Sequence, residues 1–176
     1  MRVVTGPEPY TIQDGEISVF LAGGITNCPN WQKDIIDYFK DCKLPIVILN
    51  PRRDEFPIND EMETITQIAW EFNALEKCDI FSMYFAESES DQPICMYELG
   101  RNIVRMQQRF LPHDYWRRIV ISVEDGYKRQ KDVMVQTELA CGHDFRINLG
   151  GKYNDLRDKH AEDIWATCVY LLQKTP

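Results

Sequence analysis

Residues 17–24 read Ile17-Ser18-Val19-Phe20-Leu21-Ala22-Gly23-Gly24, a mostly apolar run closed by a pair of glycines. A strand buried on both faces needs such a near-continuous apolar stretch, and paired glycines let the backbone turn tightly and approach a ligand closely. Three further β-branched runs repeat the theme at Ile46 to Leu49, Ile80 to Phe85 and Ile119 to Val123. The segments between them carry apolar residues at helical spacing: Trp31, Ile35, Tyr38, Phe39 and Cys42, then Ile65, Ile68, Phe72 and Leu75, then Met96, Leu99, Ile103 and Met106. Alternating strands and helices build βαβ units with right-handed crossovers. The pattern predicts an α/β protein with a doubly wound sheet of about five mainly parallel strands and helices on both faces.

Outward from this centre, Phe145, Ile147 and Leu149 alternate with polar residues, as a half-exposed edge strand does. A last helix from about Asn154 keeps Ala161, Ile164, Trp165, Cys168, Leu171 and Leu172 on one stripe. Residues 1–16, with Gly6, Pro7, Pro9 and Gly15, read as an irregular N-terminal arm, and 17–176 as a single domain.

The 176 residues are 44% hydrophobic and 27% charged, the balance of one soluble globular domain. A formal charge of -8 has the wrong sign for neutralising phosphates, so no nucleic acid or anionic membrane is expected as a partner. No apolar run approaches the ~20 residues that span a bilayer, and MRVVTGPEPY lacks the apolar core of a signal peptide, so a cytoplasmic location is expected. The six cysteines form no C-x-x-C pair and read as reduced core residues. Only Cys141 and His143 approach metal-ligand spacing, and with His113 and His160 isolated neither a metal nor another cofactor is expected.

In an open sheet of this kind ligands gather beyond the carboxyl ends of the strands. The turn Gly23-Gly24-Ile25-Thr26-Asn27 lies there but has neither dinucleotide nor P-loop glycines, so it is a ligand loop or simply a tight turn. Asn50-Pro51-Arg52-Arg53 follows the second strand, where the arginines either take a phosphate or pair with the acidic loop Glu87-Ser88-Glu89-Ser90-Asp91, the commoner fate. Glu71 sits on the flank of its helix's apolar stripe and faces partly inward. Trp70, nearly opposite that stripe, is expected to be exposed or in contact with substrate or another subunit. Glu98 lies just inside a helix that Pro93 is suited to begin, off the apolar stripe. The helix dipole favours its ionised form, which suits an active-site carboxylate or merely a favourable helix-start charge. Gly100, inside the same helix, suggests close packing on a neighbour. Asp79 is at the amino end of its strand, on the wrong side of the sheet for catalysis, and reads as structural.

Taken together, Val19-Phe20-Leu21-Ala22-Gly23-Gly24, then Trp70-Glu71 ahead of Cys78-Asp79-Ile80, then Tyr97-Glu98-Leu99-Gly100-Arg101 resemble the nucleoside 2-deoxyribosyltransferase family over about residues 17 to 124. The resemblance implies a flavodoxin-like fold and cleavage of the N-glycosidic bond of 2′-deoxynucleosides, with transfer of the deoxyribose to another nucleobase. Hydrolysis of deoxynucleoside 5′-monophosphates is one alternative, with Arg52, Arg53 or Thr26 on the phosphate, and a non-catalytic nucleotide-binding module another. It implies that Glu98 attacks C1′ to give a covalent deoxyribosyl-enzyme, and that Glu71 binds a sugar hydroxyl. Asp91 falls near the family's acidic residue that assists the base, with Gln92 the choice one position on. Phe20 stands where transferases commonly have a tyrosine that holds the nucleophile; Tyr84, Tyr97 or backbone N–H groups are the substitutes. Gly23, Gly24, Asn50, Arg52 and Trp70 complete the expected binding residues. The implied partners are a small-molecule nucleoside or nucleotide, a free nucleobase and further copies of the chain in a homo-oligomer.

Overall fold

Apolar strands that cannot face water on either side must be covered by helices on both, and the chain resolves this in the computed structural model, which describes residues 1–57, 59–150 and 153–174, the side chains of His113, Tyr153 and Asn154 excepted. The elements run β1 (Arg2–Thr5), β2 (Ile17–Gly23), α1 (Trp31–Tyr38), β3 (Ile46–Asn50), α2 (Glu61–Lys77), β4 (Ile80–Phe85), α3 (Pro93–Arg109), α4 (Pro112–Tyr115), β5 (Ile119–Val123), α5 (Gln130–Cys141), β6 (Asn148–Leu149) and α6 (Tyr153–Lys174). The strands form one sheet in the order β1-β3-β2-β4-β5-β6, every neighbouring pair parallel. This is a flavodoxin-like doubly wound α/β fold. Val19 pairs with Ile48 on one side and Ile80 on the other, so the central apolar runs share one register. Among the described residues no helix is long and apolar enough to cross a membrane.

Helices α1 and α6 cover one face, where Trp31, Ile35, Ile164 and Leu171 pack over Val19, Leu21 and Tyr84. Helices α2, α3 and α5 cover the other with Trp70, Leu99, Ile103 and Val133 over Phe20, Leu49 and Phe85. Behind the sheet, His160 on α6 is clamped between the Ser82 and Ser122 hydroxyls at 2.7 Å each, and burial pushes its pKa down to about 3. It is a neutral tie between α6 and the two strands.

Three expectations are revised. The sheet has a sixth strand, because Arg2–Thr5 within the N-terminal segment pairs with β3, Val4 lying opposite Leu49. Arg2 then anchors the following loop through Glu16 and the Thr11 carbonyl. Helix α2 is rotated relative to its apolar stripe: Ile65, Ile68 and Phe72 are exposed, whereas Gln67, Trp70, Ala74 and Leu75 are buried. An indole buries more area than an isoleucine, and Trp70 finds a cage made of Tyr10 at 5.8 Å and Phe20 at 6.3 Å between ring centres. Its Nε1 donates to the Glu8 carbonyl at 2.8 Å, so the N-terminal segment covers it. Finally, Gly100 is exposed, and a Cβ there would meet nothing within 4 Å; no close packing explains it.

Gly23, at the end of β2, has a φ of 151°. A Cβ there would collide with the Tyr84 carbonyl oxygen and stand 2.6 Å from Trp31 Cζ2. Gly23→Ala is expected to lower unfolding free energy by at least about 2 kcal/mol, the range for strained, overpacked positions, as read by urea denaturation.

Candidate active site

The loops after β2, β3 and β4 meet at the carboxyl edge of the sheet, where strand order reverses around β2. They enclose a cavity of about 310 Å³ whose lining includes Phe20, Gly23, Gly24, Glu71, Gln92 and Glu98. The loop after β4 is set from behind. Buried Glu124 accepts the Tyr84 hydroxyl at 2.7 Å and the Glu87 backbone N–H at 2.5 Å. Gln92, buried and left-handed at φ 49°, directs the chain into α3. Its Nε2 donates to the Ala86 carbonyl at 2.7 Å and to Ser88 Oγ at 3.3 Å, while its Oε1 has no hydrogen-bond partner among the described residues. Gly24 is tight against this side chain, since a Cβ would stand 2.6 Å from Gln92 Oε1.

Pro93 begins α3 as expected and brings Glu98 to the cavity wall on the next turn. No donor among the described residues holds the Glu98 carboxylate. Burial and then the charge of Glu71 push its pKa up to about 7, with Arg101 opposing. The helix dipole, expected to keep it ionised, is outweighed because withdrawal from water acts on the whole charge. Glu71 reaches the same cavity from α2. Burial raises its pKa too, and a hydrogen bond from Gln67 Nε2 to its Oε1 at 2.8 Å counters that rise. The same Nε2 donates to the Pro51 carbonyl at 2.8 Å, which fixes the amide between the end of β3 and the glutamate.

The remaining candidates are distributed as follows. Phe20, Gly23 and Gly24 line the cavity with the two glutamates. Trp70 is buried behind Phe20 rather than exposed, and its contacts lie within the chain. Asn50 closes a turn, exchanging 3.1 Å hydrogen bonds with the Arg52 backbone. Arg52 ties down the loop after β2 by donating to the carbonyls of Cys28 and Pro29 and to Gln32. Arg53 makes an ion pair, with Glu63 of α2 rather than with the acidic loop. Tyr84 belongs to the opposite face, stacked on Trp31. Tyr97 is exposed on a groove beside the cavity. Asp91 is exposed and its carbonyl accepts from Tyr127, so the neighbouring Gln92 occupies the cavity in its place. Asp79 holds Ser18 through both N–H and hydroxyl, a structural role. Gln67, and Cys95, which lines the cavity and was read only as a core thiol, escaped the sequence reading as site residues. Gln67 is one helical turn before Glu71, and that spacing was the available signal.

A doubly wound parallel sheet with two acidic side chains converging at its carboxyl edge defines an α/β domain with a crevice for a small molecule. The model of the family described as "Nucleoside 2-deoxyribosyltransferase like" matches residues 16–113, more than half of the chain, and the chain belongs to that family. A comparison with curated proteins gives no match. Membership implies a deoxyribosyltransferase-like enzyme with nucleosides and nucleobases as substrates.

A carboxyl group with a raised folded-state pKa holds a proton that the unfolded chain releases, so stability falls as pH rises from the ordinary 4.5 through about 7. Glu98→Gln removes that loss. Its melting temperature is expected to exceed wild type by a few degrees at pH 8, where 1 kcal/mol corresponds to roughly 2–4 °C, and to match it at pH 4.5. Gln67→Met keeps the volume but not the hydrogen bond to the charged form of Glu71; a carboxyl-carbon NMR titration is expected to show the Glu71 pKa moving further up.

Proposed function

We propose that the protein cleaves the N-glycosidic bond of 2′-deoxynucleosides and transfers the deoxyribosyl group to a second nucleobase. The observation that carries this reading is the convergence of Glu71 and Glu98 from two helices on one cavity. A Glu98 oxygen attacks C1′, the C1′–N bond breaks, and its electron pair leaves with the base, which takes a proton from water. The nitrogen of an incoming base then attacks C1′, expels Glu98 and gives up its proton. Two displacements retain configuration. Between them the sugar carries oxocarbenium-like positive charge, and a carboxylate in a partly dry hollow stabilises it more than one in bulk water does. Glu71 accepts a sugar hydroxyl and orients the ring.

Water in place of the second base makes the same site a hydrolase. A 5′-phosphate is disfavoured as a requirement because Arg52 holds backbone carbonyls and Arg53 is paired with Glu63. Chromatography of deoxynucleosides and their 5′-monophosphates, with and without a different free base, separates the readings. New nucleoside supports transfer, released base alone supports hydrolysis, and binding without product indicates a module that has lost turnover. Glu98→Gln is expected to abolish product while ligand still binds.

Attack requires the ionised form of Glu98, whose pKa lies near 7. The catalytic efficiency kcat/KM is therefore expected to rise about tenfold per pH unit below that value and to level off above it. A flat profile between pH 5 and 7 would count against Glu98 as nucleophile.

A further inference from the structure

The edge strand expected over Phe145, Ile147 and Leu149 pairs only at Asn148 and Leu149, opposite Ser122 and Val123. Phe145 and Ile147 pack instead against the core on the α3 and α5 face. Residues Ile119, Val120 and Ile121 of β5 are therefore left with no strand beside them on that side. The gap is a notch of about 370 Å³ at the amino end of β5, and it shares no lining residue with the candidate active site. Asp163, Thr167 and Tyr170, at i, i+4 and i+7 on α6, form one side of it, and Trp116, Arg117 and Arg146 complete it.

The charges around the notch do not cancel. Arginines in an acidic chain normally find a carboxylate or a carbonyl: Arg2 has Glu16, Arg118 has Asp79, Arg157 has Asp34, and Arg52 and Arg109 hold backbone carbonyls. Arg53, Arg101, Arg105 and Arg129 are likewise engaged. Arg117 and Arg146 are the two arginines that make neither an ion pair nor a hydrogen bond among the described residues, and both line this notch. Arg117 lies 4.4 Å over the Tyr170 ring, a contact that orients its plane and uses none of its N–H donors. The neighbouring carboxylates are already met. Asp163 accepts from Asn148 Nδ2 at 2.7 Å and pairs with Lys159; Asp114 accepts from the Tyr170 hydroxyl at 3.2 Å and from Lys174 Nζ at 2.9 Å. Trp116 adds a buried Nε1 donor that has no acceptor among the described residues. Cationic and buried donors without acceptors call for an anion. A single carboxylate matches one guanidinium, whereas a phosphate dianion has the charge for two and an oxygen left for the indole.

We infer that the notch binds a phosphate dianion, free or as the monoester of a small hydroxylated molecule. The inference does not depend on the reaction proposed at Glu98. Its test is calorimetric titration of the whole chain at low ionic strength with inorganic phosphate, with glucose 6-phosphate and, as an uncharged control, with glucose. The Trp116 indole N–H is followed by NMR in parallel, its signal assigned with Trp116→Phe. Saturable binding of the anions that shifts this signal and weakens with added sodium chloride is expected. Arg117→Gln and Arg146→Gln are each expected to lower the affinity at least about tenfold, as the loss of a charge-assisted hydrogen bond does. Lys131→Gln makes the same change of charge outside the notch and is expected to leave it intact, with melting curves to establish folding. Tighter binding of glucose 6-phosphate names the ester as occupant, and binding no tighter than that of phosphate names the free ion. No binding of either anion at millimolar concentration overturns the inference, as does equal binding of glucose. So does a Trp116 signal that stays in place while heat is released, an affinity unmoved by both arginine variants, or an equal loss in Lys131→Gln.

Discussion

Glu71 and Glu98 reach one hollow from different helices, each partly withdrawn from water, and keeping two like charges there is unfavourable. Arg101 offsets little of this, since its guanidinium is engaged by Glu76 and stacked on Phe72. The rest of the structure must therefore hold α2 and α3 together against a repulsion that would relax if either helix shifted. Helix α2 is fixed at its start by Asp60, which caps the Met62 and Glu63 N–H groups, and at its middle by the Trp70 cage. Helix α3 is fixed through Gln92, whose amide grips the Ala86 carbonyl, and through the buried Leu99, Ile103 and Met106. Strain of this kind, held by well-packed surroundings, is how proteins keep reactive groups out of their most comfortable state.

The buried strands and their order of appearance were legible in the sequence, because apolar runs flanked by turn residues leave few other arrangements. The edges were less so. Arg2–Thr5 is short and carries a charge, and only its pairing with β3 makes it a strand. The largest misreading concerned α2. Periodicity counts apolar residues without weighing what each can bury, and the stripe of Ile65, Ile68 and Phe72 was outcompeted by one indole that had a cage waiting. That cage includes Tyr10 and the Glu8 carbonyl, contributed by a segment that looks irregular in isolation.

A flank position and a helix start made Glu71 and Glu98 candidates one by one, and only the family resemblance joined them as a pair. Partners spread through space were not legible. Arg52 looks like an anion ligand in sequence, but it donates to two carbonyls of the loop after β2 and to Gln32 of α1, and so stabilises that loop. Tyr84 looks like a candidate donor to the nucleophile, yet alternation along β4 sends it to the other face of the sheet, where Glu124 takes its hydroxyl. Gln67 acts on Glu71 through an amide, a residue type that carries little weight in a search for catalytic groups.

Phe20 connects these points. A tyrosine hydroxyl bonded to Glu98 would lower its pKa, as any hydrogen bond to the charged form does. A phenyl ring, which lines the cavity, offers none. Burial and the charge of Glu71 leave a carboxyl group that is about half protonated near neutral pH and, in the proposed reaction, a more basic oxygen in the fraction that is ionised. The two effects oppose each other in the rate of the proposed reaction. A partly buried carboxylate is screened less than one in bulk water, so the field of Glu98 acts strongly on charge developing within the hollow, and that is where C1′ becomes positive in the proposed reaction.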